Sequence, residues 1–228
     1  EDYGHPAATH DVKIINNLIL GGNRGFFFWQ VRPESGLQNW VIAHNTFVNA
    51  DSQALFQVQN GRHENTRIEN NVFVQESTIA IAYTADTPQL QFANNIWSKT
   101  PPANVMGAGS LVADPRLAKT GSAEPGRLTA DWFKLLAGSP AIDRAKVIAE
   151  VTVDYAGTAR GIRPDCGAWE HQLTAATPLP SPTATRTPTP RPSPTPTPTG
   201  PSPTPRPTID PALFTHRGYL PVVVDYSG

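Results

Sequence analysis

Three adjacent residues, Arg62, His63 and Glu64, are of types that could perform acid–base chemistry together. A histidine titrates near neutral pH, so His63 could remove a proton next to a carboxylate. Arg62 could then stabilise the negative charge that develops on the reacting group. We therefore take His63 as the candidate base, Arg62 as the candidate catalytic cation and Glu64 as a candidate binding residue. The alternative is a turn whose charged side chains are only solvated.

Carboxylates offer a second chemistry at the same place. Glu34, Glu64 and Asp86 recur at similar positions in successive segments of the chain. Neighbouring strands of a sheet lie about 4.8 Å apart, so side chains on adjacent strands could approach as closely as a pair of catalytic carboxylates requires. The residue types therefore leave the histidine chemistry and the paired-carboxylate chemistry both open.

The elements that must position these groups are short strands directly before the turns. Three segments have the pattern of strands, namely Phe27–Arg32, Ala54–Gln59 and Ile79–Thr84. Alternation predicts two inward-facing sets: Trp29, Phe56 and Ile81, and Val31, Val58 and Tyr83. It predicts two outward-facing rows: Gln30, Gln57 and Ala82, and Arg32, Gln59 and Thr84. The same alternation leaves Phe26 and Phe28 exposed or covered by a turn.

One pattern, an apolar residue followed by two Asn positions and an aromatic or aliphatic residue, occurs four times. Its copies are Ile14–Ile19, Ile42–Phe47, Ile68–Phe73 and Phe92–Trp97. The second Asn falls at positions 17, 45, 71 and 95, which are 28, 26 and 24 residues apart. A repeat of this length with short alternating strands is typical of a solenoid, whose units bury their apolar sides by stacking.

Within one repeat, the residue types predict three short strands. Ile68 should face inward between Arg67 and Glu69, and Val72–Val74 should form the next strand. The Asn pair predicts a turn because Asn tolerates a left-handed backbone, and His44 replaces the first Asn of one pair as a hydrogen-bonding substitute. Because no stretch has helical periodicity, the sequence predicts an all-β protein built as a parallel β-helix.

The repeated Asn corner resembles that of the right-handed parallel β-helix superfamily, the pectate-lyase-like fold, in which stacked Asn side chains form an internal ladder. The resemblance covers residues 12–171. It implies a polysaccharide-binding groove along the third strand and its turns, with Arg62 and His63 catalytic. It implies that the substrate is bound by Gln30, Arg32, Gln57, Gln59 and Glu64. The implied activity is that of a polysaccharide lyase, or of a glycoside hydrolase if two carboxylates act together.

A second resemblance lies in three elements, Leu111–Leu117, Gly138–Asp143 and Asp154–Glu170, which are similar to the closing segment of secreted bacterial β-helix proteins. It implies that Cys166, at a usually apolar position, is a buried thiol. Carboxylates are dense here, so bound calcium is one interpretation, although the sequence has no clear calcium motif. We instead expect structural hydrogen bonds and ion pairs, made by Asp114, Asp143, Asp154, Arg160, Asp165 and Glu170.

Composition argues against several classes of protein. The 228 residues have a formal net charge of -1 with dispersed Lys and Arg, which argues against binding to nucleic acid or an anionic membrane surface. No apolar run approaches the roughly 18 residues of a membrane-spanning helix. The single cysteine excludes an intramolecular disulfide, and no CxxC motif or Cys/His cluster indicates a structural zinc site. The start lacks an initiator Met and a signal sequence, which indicates a processed product or a fragment.

The chain divides by composition into three parts. Residues 1–171 form the predicted β-helix, and residues 172–208, rich in Pro, Thr and Ser, form a predicted disordered or polyproline II linker. Residues 209–228 contain an apolar run, Tyr219–Val224, that resembles the Leu-Pro-Val type tail of exported Chloroflexi proteins. A lone strand is unstable by itself, so we expect this one to contact a neighbouring subunit or the cell envelope.

These observations together predict an extracellular or cell-surface protein. The preferred function, implied by the resemblance, is the binding or lyase-like processing of an extracellular polysaccharide, acidic ones included. The alternative is a non-catalytic structural or adhesive surface protein that uses its coils as a rigid spacer.

Overall fold

The computed structural model of the protein describes residues 8–30, 34–124 and 126–172. The predicted linker, apart from Gln172, and the predicted C-terminal strand lie outside these residues, as does the candidate binding residue Arg32. Within them, the backbone forms fourteen short strands and two short 3-10 helices, Ala103–Val105 and Ala130–Phe133.

The strands stack into parallel sheets, each with one strand from successive coils. A two-stranded sheet contains β1 (Ala8–His10) and β5 (Gly36–Gln38). Sheet 1 contains β2 (Lys13–Ile15), β6 (Val41–Ala43), β9 (Thr66–Glu69) and β12 (Leu90–Ala93). Sheet 2 contains β3 (Leu18–Leu20), β7 (Thr46–Val48), β10 (Val72–Val74), β13 (Ile96–Trp97) and β14 (Leu111–Val112). Sheet 3 contains β4 (Phe26–Phe28), β8 (Phe56–Val58) and β11 (Ala82–Thr84), so the predicted parallel β-helix is confirmed.

The interior is filled by apolar side chains that repeat at the same place in successive coils. Sheet 1 contributes Ile14, Ile42, Ile68 and Phe92, and sheet 2 contributes Ile19, Phe47, Phe73 and Trp97. The Phe73 ring stacks on Phe47 at 5.1 Å and on Trp97 at 4.1 Å between ring centroids. Each coil therefore buries its apolar side against its neighbours, as a solenoid requires.

The Asn corner joins sheet 1 to sheet 2 in the predicted way. The first residue of each corner has a left-handed φ, from 52° to 60°, at Asn16, His44, Asn70 and Asn94. The second residue builds the predicted ladder: the amides of Asn17, Asn45 and Asn71 each donate to the Oδ1 of the next Asn, at 2.8, 3.0 and 3.1 Å. At the end of the row, the backbone N–H of Asn95 donates to the Ser110 hydroxyl at 3.2 Å.

Residues 113–172, which we call the closing segment, cover the outer face of sheet 2. Trp132, Phe133 and Leu135 of this segment pack in one buried cluster with outward-facing residues such as Val72. Cys166 belongs to the same cluster and is fully buried, as predicted, and this burial raises the pKa of its thiol to about 12. The central strands of sheet 2, β7 and β10, are therefore buried on both faces.

The closing segment also contacts the first residue of every corner. Its backbone carbonyls accept hydrogen bonds in all four coils, with Val153 bonding Asn16 at 2.8 Å, Asp165 bonding His44 at 3.1 Å, Lys146 bonding Asn70 at 2.8 Å and Arg144 bonding Asn94 at 3.3 Å. The two residues of each corner thus have different partners. The second residue bonds within the solenoid, and the first bonds to the segment that closes it.

Buried charges hold the closing segment together. The Arg160 side chain, 2% exposed, donates to the carboxylate of Glu170, to Oδ1 of Asn16 at 2.9 Å and to the Gly167 carbonyl at 2.9 Å. Asp165 accepts the N–H of Asp143 at 2.7 Å. Asp154 and Asp114 also accept backbone N–H groups. The predicted structural roles are confirmed for Asp114, Asp154, Arg160, Asp165 and Glu170, whereas Asp143 contributes its backbone.

Candidate functional site

The register of sheet 3 decides which side chains face outward, and it differs from the prediction. Phe27, Gln57 and Tyr83 are paired in one outward row. The predicted inward positions of Trp29 and Tyr83 are wrong, because these residues are 64% and 61% exposed. Ala82, predicted outside, is buried. Ala82, rather than the predicted Ile81, pairs with Phe56. This shift of one residue in register exchanges the two faces of the strand and places Tyr83 on the outside.

The prediction that Phe26 and Phe28 lie outside is wrong as well. Phe26 pairs with Phe56, and their rings stack at 4.9 Å between centroids. Phe28 pairs with Val58, and both phenylalanines pack against the buried core. The register of this strand therefore differs from the prediction by three residues, with Phe26 rather than Trp29 beside Phe56. Two large rings at alternate positions fill the interior better than Trp29 would from its place beyond the strand.

An aromatic surface, formed by Phe27, Trp29 and Tyr83, lies on the outer face of sheet 3. Phe27 and Trp29 are neighbours, with ring centroids 6.4 Å apart. The guanidinium of Arg24 lies 3.9 Å from the centroid of the Phe27 ring, which is the geometry of a cation–π contact. Trp29 and Tyr83 are exposed, whereas Phe27 is half-buried. Exposed aromatic groups on one face mark interaction sites more often than isolated exposed apolar residues do.

A cavity of about 260 Å³, which we call the polar cleft, borders this surface at Tyr83. It is lined by Gln30, Gln59, Asn60, Tyr83, Thr84, Ala85 and Asp86. Two of the predicted binding residues, Gln30 and Gln59, thus lie in one cleft, and a third, Gln57, lies in the adjacent outward row. The lining is dominated by neutral groups that both donate and accept hydrogen bonds.

His63 lies inside the turn between β8 and β9 and is 6% exposed. The Gln59 carbonyl can only accept, so Nε2–H donates to it at 2.8 Å, while Nδ1 accepts the N–H of Leu37 at 3.2 Å. The edge of the ring meets Phe28, with centroids 5.1 Å apart. Burial lowers the pKa of His63. Both ring nitrogens therefore hold the turn by hydrogen bonds. Neither nitrogen can bind a ligand unless one of these hydrogen bonds breaks.

The other predicted site residues are distributed around this turn. Arg62 and Glu64 are exposed, and the backbone N–H groups of these residues donate to the carbonyls of Ser35 and Leu37 at 2.8 and 2.9 Å. Neither side chain lines the polar cleft. Of the three recurring carboxylates, Asp86 lines the cleft, whereas Glu34 and Glu64 do not. The structure therefore brings the amide residues together but does not gather Arg62, His63 and Glu64 at the cleft.

Sequence reasoning missed Trp29, Tyr83 and Asn60 as members of one site, whereas Asp86 was already among the candidate carboxylates. A signal was available for two coils: Phe56 lies 11 residues after Asn45, and Ala82 lies 11 residues after Asn71. Counting from the ladder Asn would have paired Phe56 with Ala82, as the structure does. The neighbouring Tyr83 then falls on the outer face.

A second cavity, of about 450 Å³, lies where the closing segment meets the turns after sheet 2. Its charged groups already have partners. Lys119 bonds to the carboxylate of Glu76 and thereby lowers the pKa of Glu76, and Nζ of Lys99 donates to the Ser77 carbonyl at 2.8 Å. These contacts join the closing segment to the coils, so this cavity is the weaker candidate for a ligand.

The described residues contain no group of three or more His, Cys, Asp or Glu side chains arranged to hold a metal ion. In the same part of the chain, no helix is long and apolar enough to cross a membrane. In comparisons with known proteins, no family model and no curated protein matches the chain.

Proposed function

We propose that the protein binds an extracellular polysaccharide on the aromatic surface and in the polar cleft beside it, without chemical turnover. The observation that carries the proposal is the exposure of Trp29 and Tyr83 next to a cleft lined by amide and hydroxyl groups. Sugar rings present C–H faces that pack on aromatic rings, and hydroxyl groups that bond to amides. The two kinds of surface therefore match the two kinds of group on a sugar.

Binding without turnover is supported by the position of His63. A general base must reach the proton it removes, and it must have a free nitrogen in the neutral state. In His63 one nitrogen carries the proton donated to Gln59 and the other accepts the N–H of Leu37. The Asn ladder and the corner pattern support the resemblance to polysaccharide-acting β-helix proteins, and with it an extracellular or cell-surface location.

A structural or adhesive role is the second candidate, and one observation favours it. The closing segment bonds to the first residue of all four corners and so ties the coils together, as a spacer would require. A spacer requires no ligand on the aromatic surface, so the two functions differ in whether the intact protein binds a glycan.

Calorimetric titration of the full chain with a panel of soluble polysaccharides tests the proposal. Trp29→Ala and Tyr83→Ala should each raise the Kd about tenfold, because each removes a stacking ring. Tyr155→Ala, which removes an exposed ring from the closing segment, is the matched control and should leave the Kd unchanged.

Two results would overturn binding at this site, and a third would overturn the absence of turnover. One is the absence of saturable binding at millimolar saccharide for every polysaccharide in the panel, which would support the spacer function. The other is binding that Trp29→Ala and Tyr83→Ala leave intact. Release of an unsaturated product, followed by its absorbance, would contradict binding without turnover.

A further inference from the structure

The side chains that line the polar cleft indicate whether a neutral or an acidic glycan fits it better. Four of its side chains, those of Gln30, Gln59, Asn60 and Thr84, are neutral and carry both hydrogen-bond donors and acceptors. A sugar hydroxyl also both donates and accepts, so these groups are complementary to hydroxyl-bearing rings. A uronate carboxylate only accepts, and it is bound best by paired cationic donors such as those of arginine.

The outward amides next to the cleft are available to a ligand. In the part of the chain that the structure describes, neither the Gln57 nor the Gln59 side-chain amide has an intramolecular hydrogen-bond partner. Both residues are half-buried, so their amides have limited access to water. A ligand that supplies hydroxyl groups would satisfy them at a small desolvation cost.

The charged groups described near the cleft disfavour an acidic ligand. Among the described residues that line the cleft, Asp86 is the charged one, and it is exposed at the rim. The Arg62 side chain does not line the cleft, and the guanidinium of Arg24 lies over the Phe27 ring. A carboxylate at the rim accepts hydrogen bonds from the hydroxyl groups of a neutral sugar, and it repels a uronate.

We infer that the polysaccharide bound at the aromatic surface and the polar cleft is neutral, and that Asp86 discriminates against uronate-containing chains. This inference rests on the proposed function and names the ligand class of the same site. It differs from the expectation in which Arg62 neutralises a ligand carboxylate. Specificity arises here from a repulsive element, Asp86, as well as from the attractive amides.

Titration of the full chain with matched oligosaccharides tests the inference. Each pair differs at C6 alone: a β-1,4-glucan hexasaccharide against a β-1,4-glucuronan hexasaccharide, and a mannan hexasaccharide against a mannuronan hexasaccharide. For the backbone that binds, the neutral member should have a Kd at least tenfold lower than its uronate partner. Asp86→Asn should reduce the ratio of the uronate Kd to the neutral Kd roughly two- to five-fold, because it tightens uronate binding, as expected for one exposed charge.

Glu124→Gln is the matched control, because it removes one exposed negative charge from the closing segment. It should leave the ratio unchanged. High salt should narrow the wild-type ratio, since screening weakens the repulsion by Asp86.

The outcomes separate this inference from the proposed function. If uronate members bind as tightly as their neutral partners, and Trp29→Ala still weakens binding, the site binds glycans but the inference is overturned. A ratio that Asp86→Asn leaves unchanged overturns the role assigned to Asp86. If no member of any pair binds and the polysaccharide panel also fails, the proposed function itself is overturned.

Discussion

The outer faces of sheets 2 and 3 differ although the same coils build both. In β7 and β10 of sheet 2, all three residues are buried, because the closing segment packs on the side chains that point outward. In β8 and β11 of sheet 3, the outward residues Gln57 and Tyr83 remain partly or largely exposed. Within the described residues, the chain therefore covers one outer face of the coils and leaves aromatic and amide groups exposed on the other.

This difference shows how one repeat can serve stability and recognition together. Outward Val and Ile side chains on sheet 2 gain from burial against Trp132 and Phe133, so they act as part of a second core. The outward side chains of sheet 3 have no such cover among the described residues, and they include large aromatic groups rather than only the small polar ones common on solvated strands. Such a face is suited to a partner from outside the chain.

The largest expected effect comes from placing a charge on the covered face. Val72→Asp should lower the free energy of unfolding by about 3 to 5 kcal/mol, because it would bury an unpaired carboxylate next to Gly167. Gln57→Asp places the same group outward on sheet 3 and should change that energy by less than about 0.5 kcal/mol. Urea unfolding followed by circular dichroism measures both, and equal losses would mean that the two faces are alike.

A smaller effect is expected from removing one amide of the buried ladder. Asn71→Leu should lower the free energy of unfolding by about 1 to 3 kcal/mol, because the Asn71 amide bonds the carbonyls of Ile42 and Glu69 and the Oδ1 of Asn95. Gln57→Leu makes the same type of change on the open face, and we expect it to be nearly neutral. Urea unfolding that gives wild-type stability for Asn71→Leu would contradict a structural role for the ladder.

The smallest effect is a pH dependence from His44, which lies beneath the closing segment. Burial, helped by the charge of Arg160, lowers the pKa of His44 from 6.5 to about 3. Between these values the unfolded chain binds a proton that the folded chain does not, so stability falls as the pH decreases. From pH 7 to pH 5.5, the loss of unfolding free energy from His44 should be about 1.3 kcal/mol.

His44→Asn restores the residue found at the other three corners and serves as the control for this pH dependence. It should remove the contribution of His44 while leaving the smaller one expected from His63, whose pKa is lowered in the same direction. Thermal unfolding of both proteins at several pH values measures the difference. Parallel pH profiles for wild type and His44→Asn would show that His44 is not the group responsible.

The Asn corner could be predicted from sequence because its chemistry is local and repeated. Asn16, for example, has the left-handed φ of the turn, and Asn17 donates the ladder amide. Few residue types other than Asn suit either position. The same requirement recurs in each coil, so four copies of the pattern remain visible. Fold class and strand order along sheets 1 and 2 followed from those copies.

The register of sheet 3 could not be predicted in the same way, because the connections before it differ in length. Phe26 lies 9 residues after Asn17, whereas Phe56 lies 11 residues after Asn45. Burial of His63 was also hidden from the sequence, since the groups around it, Leu37 and Phe28, come from the coil before. Which side chains meet at the candidate site depends on contacts between coils, and no local pattern encodes them.

The path of the closing segment has a consequence for how the molecule opens. A stack of repeats held by nearest neighbours alone can fray from its ends, one coil after another. Here a single stretch of chain, from Arg144 to Asp165, is tied to the corners of all four coils, from Asn94 back to Asn16. An end coil cannot peel away while that stretch stays bound, so amide hydrogens in the first and fourth coils exchange through a shared, cooperative opening.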